Sequence, residues 1–415
     1  MKLNFATLFA VLQFVSAVPT KGQYEGDKVI QFQIENKNQQ QLVQSVVREH
    51  RLDAWTDIIV GPTDIRIKAK DIPKVAELLK DIKSSVKIAN LQVEIDAERA
   101  HTAEHLKSFA NTKALTAAQV FADYQDASTY VKFLQGLPGT TPINLGKTYL
   151  GNDILGVKFG TGAKQIVVHG GIHAREWIAP STTTYIANAL ITGTDSASVS
   201  LKNTFTFHFI PVLNVDGYQY TRDPNGDRMN RKNREPNSGS DCVGTDPNRN
   251  FDYAWSQAGA SSDPCADDYY GPSAASSKEV QAITAYLKSL NNVVSYIDFH
   301  SYSQLFMYPW GYSCDASNPD ANDQGNAAQA AVNALQNVNG LSFTPGDICN
   351  TIYQASGSST DYAYGTLGIK YSYGVELRPN EFNSNGFVLP ASNITPAGKE
   401  TLAAVIAAWK YAAAH

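Results

Sequence analysis

Residues 165–177, Gln-Ile-Val-Val-His-Gly-Gly-Ile-His-Ala-Arg-Glu-Trp, predict a strand at 165–169 that runs into a loop. In this loop the spacing His173-x-x-Glu176 brings an imidazole and a carboxylate within reach of one ion. Catalytic zinc sites commonly use two histidines and one glutamate, and they keep a further position for water. The stretch therefore predicts two ligands of a metal site at the end of a strand, and the third ligand must come from elsewhere.

The third ligand must be one of the other histidines of the larger, C-terminal part. The histidines after residue 113 are His169, His173, His208, His300 and His415. His300 directly follows the apolar strand predicted at 293–299, and ligands of open α/β sheets bind beyond the carboxyl ends of strands. His169 and His208 lie inside predicted strands, where a core histidine is the commoner situation, and His415 is the terminal residue. We therefore predict His300 as the third ligand.

The region around this stretch alternates between strands and helices. Strands are predicted at 154–159, 165–169, 204–210, 293–299 and 370–377, and helices at 131–137, 183–190, 278–290, 327–335 and 396–413. Such alternation indicates an α/β sheet that is covered by helices on both faces. A length of 415 residues and an apolar fraction of 43% allow two or three domains with full-sized cores.

The N-terminal part has a different organisation. Residues 1–17 predict a secretory signal, with Lys2 before an apolar run that is too short for the alternative of a membrane anchor. Strands predicted at 29–34, 57–60, 64–67 and 86–95, helices at 39–49 and 74–83, and a turn at Gly61-Pro62 give the order βαββαβ. Residues 98–120 predict a polar, helical connecting segment. Lys107 and Lys113 are candidate cuts for a trypsin-like protease, and an uncut interdomain helix is the alternative.

The net charge and the distribution of charge limit the classes of function that the chain can have. A net charge of −5 is modest and has the wrong sign for a nucleic-acid-binding protein. Within the acidic C-terminal part, cations nevertheless cluster at Arg222, Arg228, Arg231, Lys232, Arg234 and Arg249.

The cysteines are Cys242, Cys265, Cys314 and Cys349. An even number in an exported chain predicts disulfides, with three possible pairings. Asn393 begins a glycosylation sequon and is expected at the surface.

The segment around His173 resembles the zinc signature of the pancreatic-type metallocarboxypeptidases, the A/B subfamily, and the resemblance extends over nearly the whole chain. It implies a secreted proenzyme with a signal peptide at 1–17, an activation propeptide with its connecting segment at 18–113 and a catalytic domain at 114–415. The catalytic domain is then expected to contain a mixed, mostly eight-stranded sheet. One Zn²⁺ would be bound by His173, Glu176 and His300, with Asp246 orienting a ligand imidazole.

The resemblance also assigns roles to the arginine cluster. A guanidinium group binds a free C-terminal carboxylate bidentately, and Asp246-Pro247-Asn248-Arg249 resembles the carboxylate-binding motif of the family. Asn248 and Arg249 are then the clamp, Arg231 stabilises the oxyanion, and Arg175 contacts substrate farther from the cut. For Arg222, Lys232 and Arg234 we expect a solvated surface instead.

Further motifs of the family complete the predicted site. Tyr353 lies in a segment that resembles the mobile loop that caps the substrate, and Tyr302 is a further substrate contact. Glu376, at the end of a predicted strand, is similar to the general base that takes a proton from water and passes it to the leaving amine. The resemblance pairs Cys242 with Cys265 and Cys314 with Cys349.

The pocket for the C-terminal side chain is expected to be lined by Met307, Gly311, Ile348, Thr360 and Gly374. Members that remove basic residues carry an acid where Thr360 stands, so we predict a preference for large hydrophobic and aromatic residues. Asp361 is the adjacent acid, and it keeps open the alternative of a B-type enzyme that releases Lys or Arg.

The expected partners are peptides with a free C-terminus, an activating protease and the chain's own propeptide, which would inhibit by covering the cleft. The protein is expected to be a monomer that binds neither nucleic acid nor membrane. A non-catalytic peptide-binding protein on the same fold is a further alternative, and the presence of every predicted ligand and of Glu376 disfavours it.

Overall fold

The computed structural model describes residues 22–108, 112, 114–383 and 385–415. The predicted signal at 1–17 and the candidate cut at Lys113 lie outside the described residues. Two sheets, one of four strands and one of eight, organise the described chain.

The first sheet belongs to a small N-terminal unit. Its strands are β1 (Lys28–Ile34), β2 (Asp53–Ala54), β3 (Gly61–Ile67) and β4 (Ser84–Ile88), and its helices are α1 (Lys37–His50) and α2 (Ile72–Leu78). The strands are antiparallel and lie in the order β2-β3-β1-β4, so the predicted βαββαβ order is confirmed. Alternate residues of β1, such as Phe32 and Ile34, are buried against Val43 and Val46 of α1.

Two details of this unit differ from the sequence prediction. Gly61-Pro62 is not a turn but begins β3, and residues 57–60 form a loop. Local side-chain bonds hold that loop: Thr63 Oγ1 donates to the Asp57 carbonyl, and Gln40 donates to the Ile58 carbonyl. The strand predicted up to residue 95 ends at Ile88, because Leu91 and Ile95 are buried one helical turn apart in the next helix.

This next helix, α3 (Leu91–Ser108), accounts for part of the predicted connecting segment. It begins with apolar contacts to the core between the two units and continues as a polar, exposed helix. Lys107 is exposed in its last turn. The candidate cut at Lys107 is therefore accessible at the surface.

The second sheet organises the larger unit. Its strands are β5 (Thr141–Lys147), β6 (Asp153–Gly160), β7 (Lys164–Gly170), β8 (Phe205–Ile210), β9 (Val293–Ser301), β10 (Leu305–Tyr308), β11 (Thr344–Asp347) and β12 (Tyr371–Leu377). They lie in the order β11-β10-β12-β9-β7-β8-β6-β5. The central strands β12, β9, β7 and β8 are parallel, and β5, β6 and β10 pair antiparallel with neighbours. The predicted mixed eight-stranded α/β fold is confirmed.

Helices cover this sheet. They are α4 (Ala117–Val120), α5 (Ala127–Gln135), α6 (Ile178–Thr192), α7 (Ser196–Thr204), α8 (Val215–Arg222), α9 (Lys278–Ser289), α10 (Ala321–Asn339), α11 (Ile348–Thr351), α12 (Ser359–Gly365) and α13 (Ile394–Ala414). The long helices α6, α9, α10 and α13 were predicted from their periodicity. The short helices α7, α8, α11 and α12 and the strands β5, β10 and β11 were missed. Within the described residues, no helix is both long and apolar enough to cross a membrane.

The parallel register brings the functional segments to one edge of the sheet. Gly170 at the end of β7 pairs with Phe299 of β9, and His300 of β9 pairs with Glu376 of β12. The carboxyl ends of three adjacent strands therefore meet, and the loop that carries His173 starts from the same edge. Cys242 is bonded to Cys265 and Cys314 to Cys349, which is the pairing that the resemblance implies.

Candidate active site

Three side chains from two strand ends converge on one point. His173 Nδ1 lies 2.9 Å from Glu176 Oε1 and 3.1 Å from His300 Nδ1, and His300 Nδ1 lies 3.4 Å from Glu176 Oε2. Ligand atoms at the zinc–nitrogen distance around a tetrahedral ion are roughly 3.3 Å apart. In the described part of the chain, this is the one group of three or more His, Cys, Asp or Glu residues whose ligand atoms lie within 4.8 Å of one another.

The outer nitrogen of each imidazole meets a buried carboxylate. Asp246 Oδ1 lies 3.0 Å from His173 Nε2, and Asp298 Oδ2 lies 2.9 Å from His300 Nε2. Carboxylates in this position fix the tautomer and the orientation of metal-binding histidines. Both rings thus present Nδ1 to the same point, so the residues present fit a zinc ion.

Asp246 was predicted to orient an imidazole, whereas Asp298 was missed. The missed signal was its position on β9, two residues before His300 and therefore on the same face of the strand. Asp246 also accepts hydrogen bonds from Arg231 Nε at 3.0 Å and Nη2 at 2.9 Å. Burial opposes ionisation of Asp246, but the charges of Arg231 and His173 outweigh it and hold the pKa of this carboxyl well below its usual value.

Glu176 is ionised for a similar reason. Burial raises its pKa, but His173 and His300 outweigh this effect, and the net pKa is lowered. The Ser301 backbone N–H donates to Glu176 Oε2 at 3.1 Å, which fixes the carboxylate from the β9 side. An anionic glutamate between two imidazoles is the ligand set of a divalent metal.

The predicted carboxylate clamp forms one wall beside these ligands. Arg249 donates from Nη2 to the Tyr353 hydroxyl at 2.8 Å, from Nε to the Gly259 carbonyl at 2.8 Å and from Nη1 to the Asn248 carbonyl. Asn248 in turn accepts at Oδ1 from the Ser359 N–H. The structure therefore brings Asn248, Arg249 and Tyr353 together.

Glu376 lies near the end of β12 and pairs with His300 in the register of the sheet. Its carboxylate atom Oε2 is buried and has no hydrogen-bond partner among the described residues. Burial and the neighbouring negative charges of Glu176 and Asp57 raise its pKa to about 8, against the lowering effect of His300 and Arg231. A carboxylate with a pKa near neutrality can both accept and return a proton.

The predicted pocket residues also assemble. Met307 pairs with Gly374 across β10 and β12, and Met307 packs with Ile348 in an apolar cluster. A Cβ on Gly374 would meet only Thr360 Oγ1, at 3.4 Å, so these two residues lie opposite each other and a methyl group could still fit between them.

Asp361 is held in the wall beside Gly311. Its carboxylate accepts from the backbone N–H groups of Gly311, at 2.9 and 3.1 Å, and of Tyr312, at 2.8 Å. Burial raises the pKa of Asp361 to about 7, although both N–H groups lower it. Asp361 is thus bound to the backbone of the wall and is not placed as a free counter-charge.

Arg175 and Tyr302, which were predicted to contact substrate, are occupied by the N-terminal unit. Arg175 Nη1 donates to Asp53 Oδ1 at 2.8 Å, and the Tyr302 hydroxyl donates to Asp64 Oδ2 at 2.8 Å. Phe387 packs between them: its ring lies 4.3 Å from the Arg175 guanidinium and 5.1 Å from the Tyr302 ring. The N-terminal unit therefore covers this side of the cleft.

Asp57, in the loop before β3, lies close enough to the clamp to feel the charge of Arg249. Burial raises its pKa to about 7, even though Arg249 and Arg231 act to lower it, and Asp268 adds a further negative charge. A carboxylate of the N-terminal unit thus lies in the field of the two arginines predicted to act on substrate.

The expectation of a solvated surface is wrong for Lys232, which is buried, whereas Arg222 and Arg234 are half-buried. Lys232 is buried and donates to the Pro264 carbonyl, and Arg222 packs on the Trp177 ring with Asp126 as its ion-pair partner. Arg234 lies over Tyr220, 3.8 Å from the ring centroid. Their long apolar stems explain why basic residues can be buried when the charged ends find partners.

Comparisons with known proteins agree with this geometry. A family model described as "Zinc carboxypeptidase" matches residues 130–404, and one described as "Carboxypeptidase activation peptide" matches residues 30–98. The chain is similar to carboxypeptidase A2 of Rattus norvegicus, with 39% identity over 95% of each chain. It is also similar to metallocarboxypeptidase A of Trichophyton tonsurans, with 34% identity over 97% of each.

A solved structure shows the same arrangement of the chain. The crystal structure of carboxypeptidase A from Helicoverpa armigera has a TM-score of 0.85 and 26% identity, over 94% of this chain and 98% of that one. The likeness extends over both sheets.

Proposed function

Since the chain belongs to the zinc carboxypeptidase family, we propose that it is a secreted A-type enzyme that removes hydrophobic and aromatic residues from the C-terminus of peptides. The observation that carries the proposal is the convergence of His173, Glu176 and His300 near Glu376, whose buried Oε2 has no hydrogen-bond partner among the described residues. A zinc ion held by these three residues would supply a Lewis acid that activates water near neutral pH, because zinc lowers the pKa of bound water towards about 7.

The chain's own side chains then divide the remaining work. Arg249 and Asn248 bind the terminal carboxylate of the peptide, and Tyr353 closes over it. Glu376 accepts the proton of the attacking water at its carboxylate and transfers it to the nitrogen of the leaving residue. Arg231, whose guanidinium lies between Asp246 and the ligand group, donates to the oxygen on which negative charge develops.

The preference for apolar residues is supported by the pocket. Met307 and Ile348 supply apolar walls, and Gly374 leaves space opposite Thr360. A buried Lys or Arg side chain needs a counter-charge, and the nearby acid, Asp361, already accepts backbone N–H groups and has a raised pKa. These contacts disfavour the alternative of a B-type enzyme.

We further propose that the N-terminal unit keeps the uncut chain inactive. Asp53 holds Arg175 and Asp64 holds Tyr302, so a peptide cannot reach these two residues while the unit is docked. The carboxylate of Asp57 lies in the field of Arg249. The proposed boundaries are a signal at 1–17, an activation unit at 18–113 and a catalytic domain at 114–415. A cut by a trypsin-like protease at Lys107 or Lys113 separates the last two.

The test uses the cut chain and a set of peptides that differ only in their last residue. Hydrolysis of each peptide is measured with and without a zinc chelator. We expect one zinc per chain, loss of activity on chelation and faster release of Phe, Tyr or Leu than of Lys or Arg. Faster release of Arg than of Phe would establish the B-type alternative. A folded, cut chain that hydrolyses none of the peptides would leave the non-catalytic alternative.

A further inference from the structure

A row of polar side chains continues from His300 into the core of the sheet. Tyr296, Asp298 and His300 alternate along β9 and therefore lie on one face of the strand. His169 of β7 pairs with Asp298 in the parallel register and joins the row from the neighbouring strand. Each of the four residues is buried, with at most 4% of its surface exposed.

His300, Ser359 and His169 surround the carboxylate of Asp298. Its Oδ2 lies 2.9 Å from His300 Nε2 and accepts from the Ser359 hydroxyl at 2.7 Å. His169 Nδ1 faces Oδ1 at 3.3 Å, outside hydrogen-bonding angles, and the other nitrogen of this ring lies 2.5 Å from the Tyr296 hydroxyl. These contacts leave His300 Nδ1 directed at the ligand group.

Asp298 and Asp246 have different ion-pair partners. Arg231 forms two hydrogen bonds with Asp246 and neutralises part of its charge. Among the described residues, the ion pairs of Asp298 are with His169 and His300, and no Arg or Lys is paired with it. The negative charge of Asp298 is therefore shared between the imidazoles of His169 and His300, and only His300 belongs to the ligand group.

Ser359 connects this row to the substrate side of the site. Its hydroxyl donates to Asp298, and its backbone N–H donates to Asn248 Oδ1 at 2.8 Å. Ser359 lies at the start of α12, immediately before the pocket residue Thr360. One residue thus fixes both the carboxylate behind His300 and one arm of the predicted clamp.

We propose that Asp298, fixed by Ser359 and flanked by His169, is a positioning residue that orients His300 and slows the release of zinc. The inference rests on the proposed function, because it requires zinc at His173, Glu176 and His300. Carboxylates behind ligand histidines typically contribute 10–100-fold to metal affinity.

The experiment measures the rate at which the full chain releases zinc to an excess of chelator. Asp298→Asn and Ser359→Ala are compared with matched controls outside the site. The control for Asp298→Asn is Asp216→Asn, because Asp216 is another buried aspartate that accepts from three hydrogen-bond donors. The control for Ser359→Ala is Ser372→Ala, because Ser372 is another buried serine that forms a hydrogen bond. We expect release about 10–100-fold faster for Asp298→Asn and several-fold faster for Ser359→Ala, with both controls near wild type.

A second readout separates positioning from a general role in folding. The unfolding temperature of the metal-free Asp298→Asn chain is expected to match that of the Asp216→Asn chain. A zinc release rate within twofold of the Asp216→Asn control would overturn the inference. Fast release would also overturn it if the metal-free Asp298→Asn chain unfolded at a clearly lower temperature than the metal-free Asp216→Asn chain. If Asp298→Asn does not fold, Ser359→Ala decides, and a release rate equal to that of Ser372→Ala overturns the inference.

The outcomes also distinguish the inference from the proposed function. A wild-type chain that takes up no zinc refutes the proposed function and this inference with it. A wild-type chain that binds one zinc, together with an Asp298→Asn chain of unchanged release rate, refutes only the role of Asp298.

Discussion

Replacing Asp53 with Asn should activate the uncut chain. Asp53 Oδ1 holds Arg175 at 2.8 Å, and the Arg175 side chain is only 2% exposed while the N-terminal unit is docked. Asn keeps the shape of the side chain but removes its charge. Among the described residues, the buried guanidinium then keeps Asp267 as its ion-pair partner, at 3.4 Å, together with the carbonyls of Met229 and Ala54, each at 3.4 Å.

The size of the effect follows from these contacts. Removal of one partner of a buried ion pair costs about 3–5 kcal/mol, and the remaining contact with Asp267 compensates for part of this, so we expect a loss of docking free energy of about 2 kcal/mol. One factor of ten corresponds to about 1.4 kcal/mol, so the undocked fraction should rise about 30-fold. The undocked fraction limits the activity of the uncut chain.

The assay is the initial rate of release of Phe from a short peptide by the uncut chain, divided by the rate of the same variant after cutting. Asp81→Asn, at an exposed aspartate of the same unit, is the matched control. Equal ratios for the Asp53→Asn and Asp81→Asn chains would refute the view that the contact with Arg175 holds the unit in place. If Asp53→Asn also changed the rate of the cut form, its effect would not come from weaker docking of the N-terminal unit alone.

Three further predictions concern the site itself. Glu376→Gln should lower kcat of the cut chain by about 10²–10⁴-fold with one zinc still bound, because Glu376 is not one of the three converging groups; loss of zinc measured by metal analysis would contradict this. Thr360→Asp should raise the ratio of Arg release to Phe release by about 100-fold or more, since it places a charge opposite Gly374, and an unchanged ratio in the peptide panel would argue against the assigned pocket. The pKa of Asp57 is raised to about 7 in the docked state, mainly by burial, so the docked state binds a proton more tightly than the undocked state. Docking should therefore strengthen as the pH falls through 7, and this gain should level off near 3.8, the ordinary pKa of an aspartate. The activity of the uncut chain relative to the cut chain should rise between pH 5 and pH 8. An Asp57→Asn chain with the same pH dependence would contradict this.

The long elements of the fold could be predicted from the sequence because their signals are local. The helices α6, α9, α10 and α13 each carry an apolar face over several turns, and β7, β8 and β9 are apolar runs buried on both faces. Short elements such as β10 and α12 have too few residues for a periodic signal. The stretch 89–95 was assigned to a strand because the burial of Leu91 and Ile95 depends on the other unit.

The metal ligands could be predicted because strand ends in a parallel sheet meet at one edge, so that His173 and His300 had to be close if both followed central strands. Asp298 could not be recognised in the same way. An aspartate inside an apolar strand is explained only when the neighbouring strand places His169 beside it and α12 supplies Ser359. The burial of Lys232 likewise depends on the Pro264 carbonyl, which comes from a distant loop.

The sequence by itself determined the α/β fold, the family and the candidate ligands, because periodicity and motif spacing are properties of contiguous residues. Only the tertiary structure decided which charges are neutralised and which are not. The N-terminal unit brings Asp53 to Arg175 and places Asp57 in the field of Arg249, and the fold of β9 places Asp298 beside His300. The electrostatic free energy of a buried charge depends on partners that lie far away in the sequence, so it can be read only once the chain is folded.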